Sequence, residues 1–102
     1  MASRLNLHEE FCDILGHRRV YFQPPASVKM SYPCIRYSLG NVDAKKADDI
    51  NYKNTKRYEI VVIDPDPDSD IYEKILAHFP MCSFDRPYVA DNLNHWVLNL
   101  YY

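Results

Sequence analysis

Residues 55–79 read TKRYEIVVIDPDPDSDIYEKILAHF. The run Ile60-Val61-Val62-Ile63 is apolar at four successive positions, so a strand through it buries both faces and belongs in the middle of a sheet. We place that strand at 55–63. Asp64-Pro65-Asp66-Pro67-Asp68-Ser69-Asp70 breaks it, because prolines remove amide donors and short polar side chains favour turns. The period then changes. Ile71, Ile75 and Phe79 fall in line with Leu76 beside them, which predicts a helix over 71–79 that Pro80 ends. Asp70 and Glu73 have capping-box spacing, with Asp68 as an alternative cap.

Working outward, Met81-Cys82-Ser83-Phe84 reads as a brief strand that Asp85-Arg86-Pro87 turns. Residues 94–102 form the last strand, with Trp96, Leu98, Leu100 and Tyr102 on one face and His95, Val97, Asn99 and Tyr101 on the other. Upstream, Leu7, Phe11, Ile14 and Leu15 form one apolar stripe of a helix that Ser3 or Asn6 can cap and Gly16 ends. Val20-Tyr21-Phe22 is a short strand stopped by Pro24-Pro25, as expected at an edge or a turn. In Cys34–Leu39, Ile35, Tyr37 and Leu39 point one way and Cys34, Arg36 and Ser38 the other. Residues 40–56 read as a long basic loop or an extended hairpin, since Ile50 and Tyr52 alternate with polar residues. The element order gives an α+β domain spanning 1–102.

The 102 residues carry a net charge of −2, an unusual balance for a dedicated nucleic-acid binder. The sum conceals a division. Residues 1–57 hold 10 Lys+Arg against 6 Asp+Glu, and residues 58–102 hold 2 against 8, giving +4 and −6. No apolar run approaches the roughly 18 residues of a membrane span. The start lacks the layout of a signal peptide, so assembly in a cytoplasm is expected. The three cysteines, Cys12, Cys34 and Cys82, form no CxxC pair and read as small reduced core residues.

Few constellations carry chemistry. Asp64, Asp66 and Asp68 match positions 1, 3 and 5 of an EF-hand loop, but Ser69 stands where glycine is needed and Ile75 where the bidentate glutamate belongs. A turn with a helix cap explains the acidic run more simply. None of His8, His17, His78 and His95 has a histidine at i+3 or i+4. His95 beside Asp91 has the composition of a catalytic dyad, without a recognisable nucleophile. Only Gly16 and Gly40 are glycines, which rejects a phosphate-binding loop. The nine tyrosines suit a sheet-face core or an interface, and Arg36-Tyr37 and Arg57-Tyr58 offer weak interleaving for base stacking.

The stretch RYEIVVIDPDPDSDI (57–71), the helix after it, and CSFDRPYVADNLNHWVLNLYY (82–102) resemble tail terminator (tail completion) proteins of tailed bacteriophages. The first half matches in layout: an N-terminal helix, short strands and a basic loop before the long strand. Tyr72 stands where relatives often carry proline, which alters only the helix start. The resemblance implies a mixed, mostly antiparallel sheet, with the N-terminal helix and a second helix between the long central strand and the C-terminal strands. It also implies a structural virion protein at the head–tail junction. Copies would form a hexameric ring capping the tail tube and meeting the head–tail connector, with DNA passing through without specific binding. No enzyme activity, cofactor, metal or membrane partner is expected. A head-to-tail ring needs two complementary patches per subunit, and the charge division supplies candidates: Lys45, Lys46, Lys53, Lys56 and Arg57 against Asp64, Asp66, Asp68 and Asp70. The alternatives are a head-completion or connector (neck) protein, a small metal-dependent hydrolase, and a nucleic-acid-binding module.

Overall fold

A computed structural model describes residues 4–25, 27–40 and 56–102. Among them two helices and five strands follow in the order α1 (Arg4–Leu15), β1 (Val20–Phe22), β2 (Cys34–Leu39), β3 (Arg57–Asp64), α2 (Ile71–His78), β4 (Cys82–Ala90) and β5 (Leu93–Tyr101). The strands form one sheet in the order β1-β2-β3-β5-β4. The β1–β2 pair is parallel and the others are antiparallel. The α+β class and the central place of the Ile60–Ile63 strand are therefore as the sequence indicates. The expected loop at 40–56, with Lys45, Lys46, Lys53, Ile50 and Tyr52, lies outside the described residues except for Gly40 and Lys56.

Both helices pack on one face of the sheet. Leu7 and Phe11 of α1 and Ile71 and Ile75 of α2 share a core with Ile35, Tyr37, Tyr58, Ile60, Val62, Trp96, Leu98 and Leu100. This is the alternation of β2 and β5 read from the sequence, with one face of the doubly buried β3 between them. Phe11 stands at its centre, with its ring edge-on to Tyr37 at 5.1 Å and to Phe79 at 5.7 Å. Helix α1 ends as its glycine implies: Gly16 adopts φ +77 and donates its amide to the Cys12 carbonyl at 2.9 Å. Asn6 lies inside α1 and is not its cap. At α2 the N-cap is Asp70, but its side chain makes no capping bond. The Ser69 hydroxyl accepts instead from Ile71 N at 3.5 Å.

The opposite face carries a smaller core of Cys34, Val61, Ile63 and Val97, covered by Tyr21, Met30 and Leu93. Met30 comes from the crossover that the parallel β1–β2 pairing requires. The double burial of β3 thus arises from helices on one side and a connection on the other.

The C-terminal strands differ from expectation. Asp85-Arg86-Pro87 does not turn the chain; β4 continues through it to Ala90. The register shifts between Phe84 and Arg86, a bulge that absorbs Asp85. Pro87 is tolerated because β4 is an edge strand, where an amide donor can be dispensed with. The reversal lies at Asp91-Asn92, both left-handed with φ 54 and 63. A two-residue loop with both residues left-handed matches the twist of a hairpin.

Candidate interaction surface

The acidic run folds as a self-bonded turn. Asp64 is buried, and its carboxylate accepts the Asp66 amide at 2.9 Å. The Asp66 carboxylate accepts the Asp68 amide at 2.9 Å, and Asn94 Nδ2 donates to the carbonyls of Asp64 and Pro65. Asp70 meets Lys74 at 3.8 Å. Local hydrogen bonding thus explains the aspartate spacing. Among the described residues, no group of three or more His, Cys, Asp or Glu is placed to hold a metal. Asp66 and Asp68 remain exposed at the tip.

Two polar clusters tie elements together. The Tyr37 hydroxyl accepts from Arg4 at 3.3 Å and meets His8 Nδ1 at 2.8 Å. Burial first, then Arg4, lowers the His8 pKa. A neutral His8 ring accepts the Tyr37 proton at Nδ1. Tyr37 is 1% exposed, so this array holds α1 to β2 rather than facing a substrate. In the second cluster the Glu10 carboxylate receives the Tyr102 hydroxyl and lies 2.8 Å from His78 Nε2. It thereby joins α1, α2 and the end of β5. Burial pushes the Glu10 carboxyl up, but the bonds from Tyr102 and His78 outweigh it and leave its pKa below the ordinary value. Burial, reinforced by Glu10, pushes Tyr102 up to about 12.

The cysteines are free, with Cys12 and Cys34 buried and Cys82 half-buried. Burial raises the Cys34 and Cys82 thiols to about 11, far from a nucleophile's range at neutral pH. His95 forms no dyad with Asp91. Its Nδ1 donates to the Leu93 carbonyl at 3.0 Å, and its ring stacks on Tyr88 at 4.4 Å.

Among the described residues two surfaces remain open. One is the β4 margin, an edge strand exposed along nearly its whole length. Phe84, Pro87 and Val89 pair with Leu98, Trp96 and Asn94, which puts them on the helix side. Phe84 and Val89 are 42% and 70% exposed, and Met81 just before them is 50% exposed. The bulge, the proline and the Asp85–Arg86 pair at 2.8 Å discourage indiscriminate strand addition. The Phe84 ring packs on Tyr72 at 5.6 Å and is covered only in part, and Val89 is left largely uncovered by the described residues.

The second surface is the polar half of the sheet face opposite the helices. Arg36 and Ser38 of β2, Arg57 and Glu59 of β3 and Asn99 of β5 share it by register. Arg57 packs across Gly40, where an added Cβ would meet its guanidinium at 3.0 Å. It also donates to Asn99 at 3.4 Å. Lys56 pairs through its backbone with Tyr102. Where this face meets the covered half, Gln23, Pro24, Arg36, Ser38, Glu59 and Val61 line a cleft of about 210 Å³. Gln23 is left-handed at φ 44, and its side chain accepts the Leu39 amide at 3.1 Å. That bond satisfies a donor beyond the end of β1. Arg36 Nε is buried without a hydrogen-bond partner among the described residues.

Among the described residues the charge does not divide as it does in the sequence. Arg36 and Arg57 of the basic half share a face with Glu59 of the acidic half, and Arg18 is held by Glu9 at 2.8 Å. Lys45, Lys46 and Lys53 lie outside the described residues. The Arg36 cleft was not singled out from the sequence. Its signal was an arginine on the outward alternation of a strand next to a strand apolar on both faces. No helix among the described residues is long and apolar enough to cross a membrane. Comparison of the chain with protein-family models, curated proteins and solved structures finds no match.

Proposed function

We propose that the chain is a structural subunit of a tailed-phage virion, a tail terminator whose copies form a ring capping the tail tube at the head–tail junction. The observation that supports this most is the β4 margin. Met81, Phe84 and Val89 are large apolar side chains beside a guarded edge. Exposed apolar side chains along an edge strand suit a surface that another protein covers. The order of helices and strands also agrees with what the resemblance of residues 57–71 and 82–102 implies. In this reading the tail tube and the head–tail connector are the partners above and below the ring, and DNA passes without specific contacts.

The test is electron microscopy of the purified protein mixed with unterminated tail tubes. We expect a ring, of six copies by the proposal, at one end of each tube and halted tube growth. Protein that leaves tube ends bare and tubes still growing would overturn the reading. Labelling at the portal face of the neck instead of the tube end would reassign it to a connector.

A further inference from the structure

We infer that β4 is the joint of a two-fold dimer. Its outer edge takes the same edge of a second copy of this chain, run antiparallel, with Asp85 of each opposite Arg86 of the other. The contact does not rest on the ring reading. A two-fold pair joins like surfaces and closes on itself. It is therefore the state of the free chain, which parts before the margin meets any other partner.

The backbone groups that β4 offers follow from its pairing. The Met81 carbonyl accepts the Tyr101 amide at 3.1 Å, so it points toward β5. Polar groups alternate sides along a strand of an antiparallel ladder, so those of Cys82 and Phe84 point outward. Pro87 lacks an amide donor and takes the outward side of its edge strand, and Val89, two residues on, points the same way. The bulge at Asp85 resets the alternation between Phe84 and Pro87. Cys82, Phe84, Pro87 and Val89 also share the helix side, by their pairing with Leu100, Leu98, Trp96 and Asn94.

These positions are symmetric. Counted outward from the Asp85–Arg86 peptide bond, Phe84 mirrors Pro87 and Cys82 mirrors Val89. In a regular strand such mirrored residues would lie on opposite faces; the bulge puts them on one. A second β4, turned by half a rotation about an axis normal to the sheet, therefore sets each outward residue beside its mirror. Cys82 and Val89 exchange amide-to-carbonyl bonds. Phe84 donates to the Pro87 carbonyl, and proline asks for no acceptor in return. The side chains become cross-strand neighbours, about 4.5–5.5 Å apart at Cβ. Phe84, 42% exposed, meets Pro87, and Val89, 70% exposed, meets Cys82. The exposed Asp85–Arg86 pair stands at the centre, where the rotation lays each negative group beside a positive one. The features that guard the edge admit this partner. A regular strand has one residue fewer than β4 between the positions opposite Phe84 and Pro87, whereas a second copy has the same number.

The experiment uses the full chain. Arg86→Asp makes the centre of the edge wholly acidic, and Asp85→Arg makes it wholly basic. Circular dichroism checks that each variant folds, and sedimentation velocity reads association. We expect the wild type to form dimers. Each variant alone should associate about 10-fold or more less tightly, because like charges then face each other across the axis. An equimolar mixture of the two should return dimers of one variant with the other, resolved by native mass spectrometry. Val89→Cys reads the register. On oxidation it should link to Cys82 of the other copy, which peptide mapping identifies. Within one chain the two positions lie roughly 20 Å apart along the strand, too far for a disulfide.

Folded variants that associate like the wild type would overturn the inference, as would a mixture no tighter than its components. A wild type that stays monomeric alone yet caps tubes would overturn it and leave the ring reading intact. Covalent dimers of Val89→Cys joined at position 89 in both copies, instead of 82 to 89, would overturn the register. Wild-type dimers that behave as expected while tube ends stay bare would support the inference and overturn the ring reading.

Discussion

Truncating Phe11 to alanine should cost about 4 kcal/mol of folding stability. The ring is fully buried between α1, α2 and β2. Removing such a side chain costs about 3–5 kcal/mol through lost transfer energy and the cavity left behind. The edge-on contacts to Tyr37 and Phe79 contribute about 0.5–1.5 kcal/mol each beyond burial, which places Phe11 in the upper half of that range. For a domain of this size each kcal/mol shifts Tm by about 4–8 °C, so the variant should melt about 16–32 °C lower. Urea unfolding followed by Trp96 fluorescence measures the change, with Leu5→Ala as control. Leu5 is on the same helix but 66% exposed, and its truncation should stay within about 0.5 kcal/mol. A double-mutant cycle between Phe11 and Phe79 should return a coupling of about 0.5–1.5 kcal/mol. A Phe11→Ala cost below about 1.5 kcal/mol with an unchanged m-value would refute this packing of α1 and α2.

Three further outcomes are expected. Tyr102→Phe removes one bond to Glu10 and should cost about 1 kcal/mol at neutral pH. Glu10 has a depressed folded pKa, so its stabilisation is present above its ordinary value of 4.5 and lost as pH falls through the folded value. The gap between wild type and Tyr102→Phe in urea melts should therefore narrow in acid. Native Cys34 and Cys82, with thiols near 11, carry roughly 300-fold less thiolate at neutral pH than an ordinary cysteine near 8.5. Labelling by a disulfide reagent should be slow until denaturant is added. At the hairpin, Asn92→Val should lower stability by about 1–2 kcal/mol, because a β-branched residue is strained at φ 63, whereas Asn92→Gly should be neutral or stabilising in a thermal melt.

The parts of the fold that could be read in advance are those where one local signal has one physical outcome. Ile60–Ile63 could only be a central strand, Gly16 ended α1, and the alternation along β2 and β5 separated their faces correctly. The acidic run was legible as a turn because short carboxylates bond nearby amides. β4 was misread because Asp85-Arg86-Pro87 has turn composition. A bulge and an edge position, both set by the rest of the sheet, make that composition compatible with a strand. The true reversal at Asp91-Asn92 lacks the glycine that usually marks such a loop. The charge division was visible in the sequence but not its placement, since sheet register puts Arg36 and Glu59 on one face. The cleft depends on a left-handed Gln23 and on the crossover above the sheet, neither of which leaves a local signature.

The strand order has a consequence during synthesis. β3 lies between β2 and β5, yet β5 follows it by roughly thirty residues, a delay of about 1.5–6 s at ribosomal speeds. Until then the nascent chain holds Ile60-Val61-Val62-Ile63 with one backbone edge unpaired. Such a segment joins readily to its like on neighbouring chains. The aspartates and prolines that follow it emerge first after the vulnerable stretch, and charges and prolines flanking a hydrophobic strand oppose that association. The DPDPDSD turn thus serves the unfinished chain as a gatekeeper before it serves the finished one as the turn into α2.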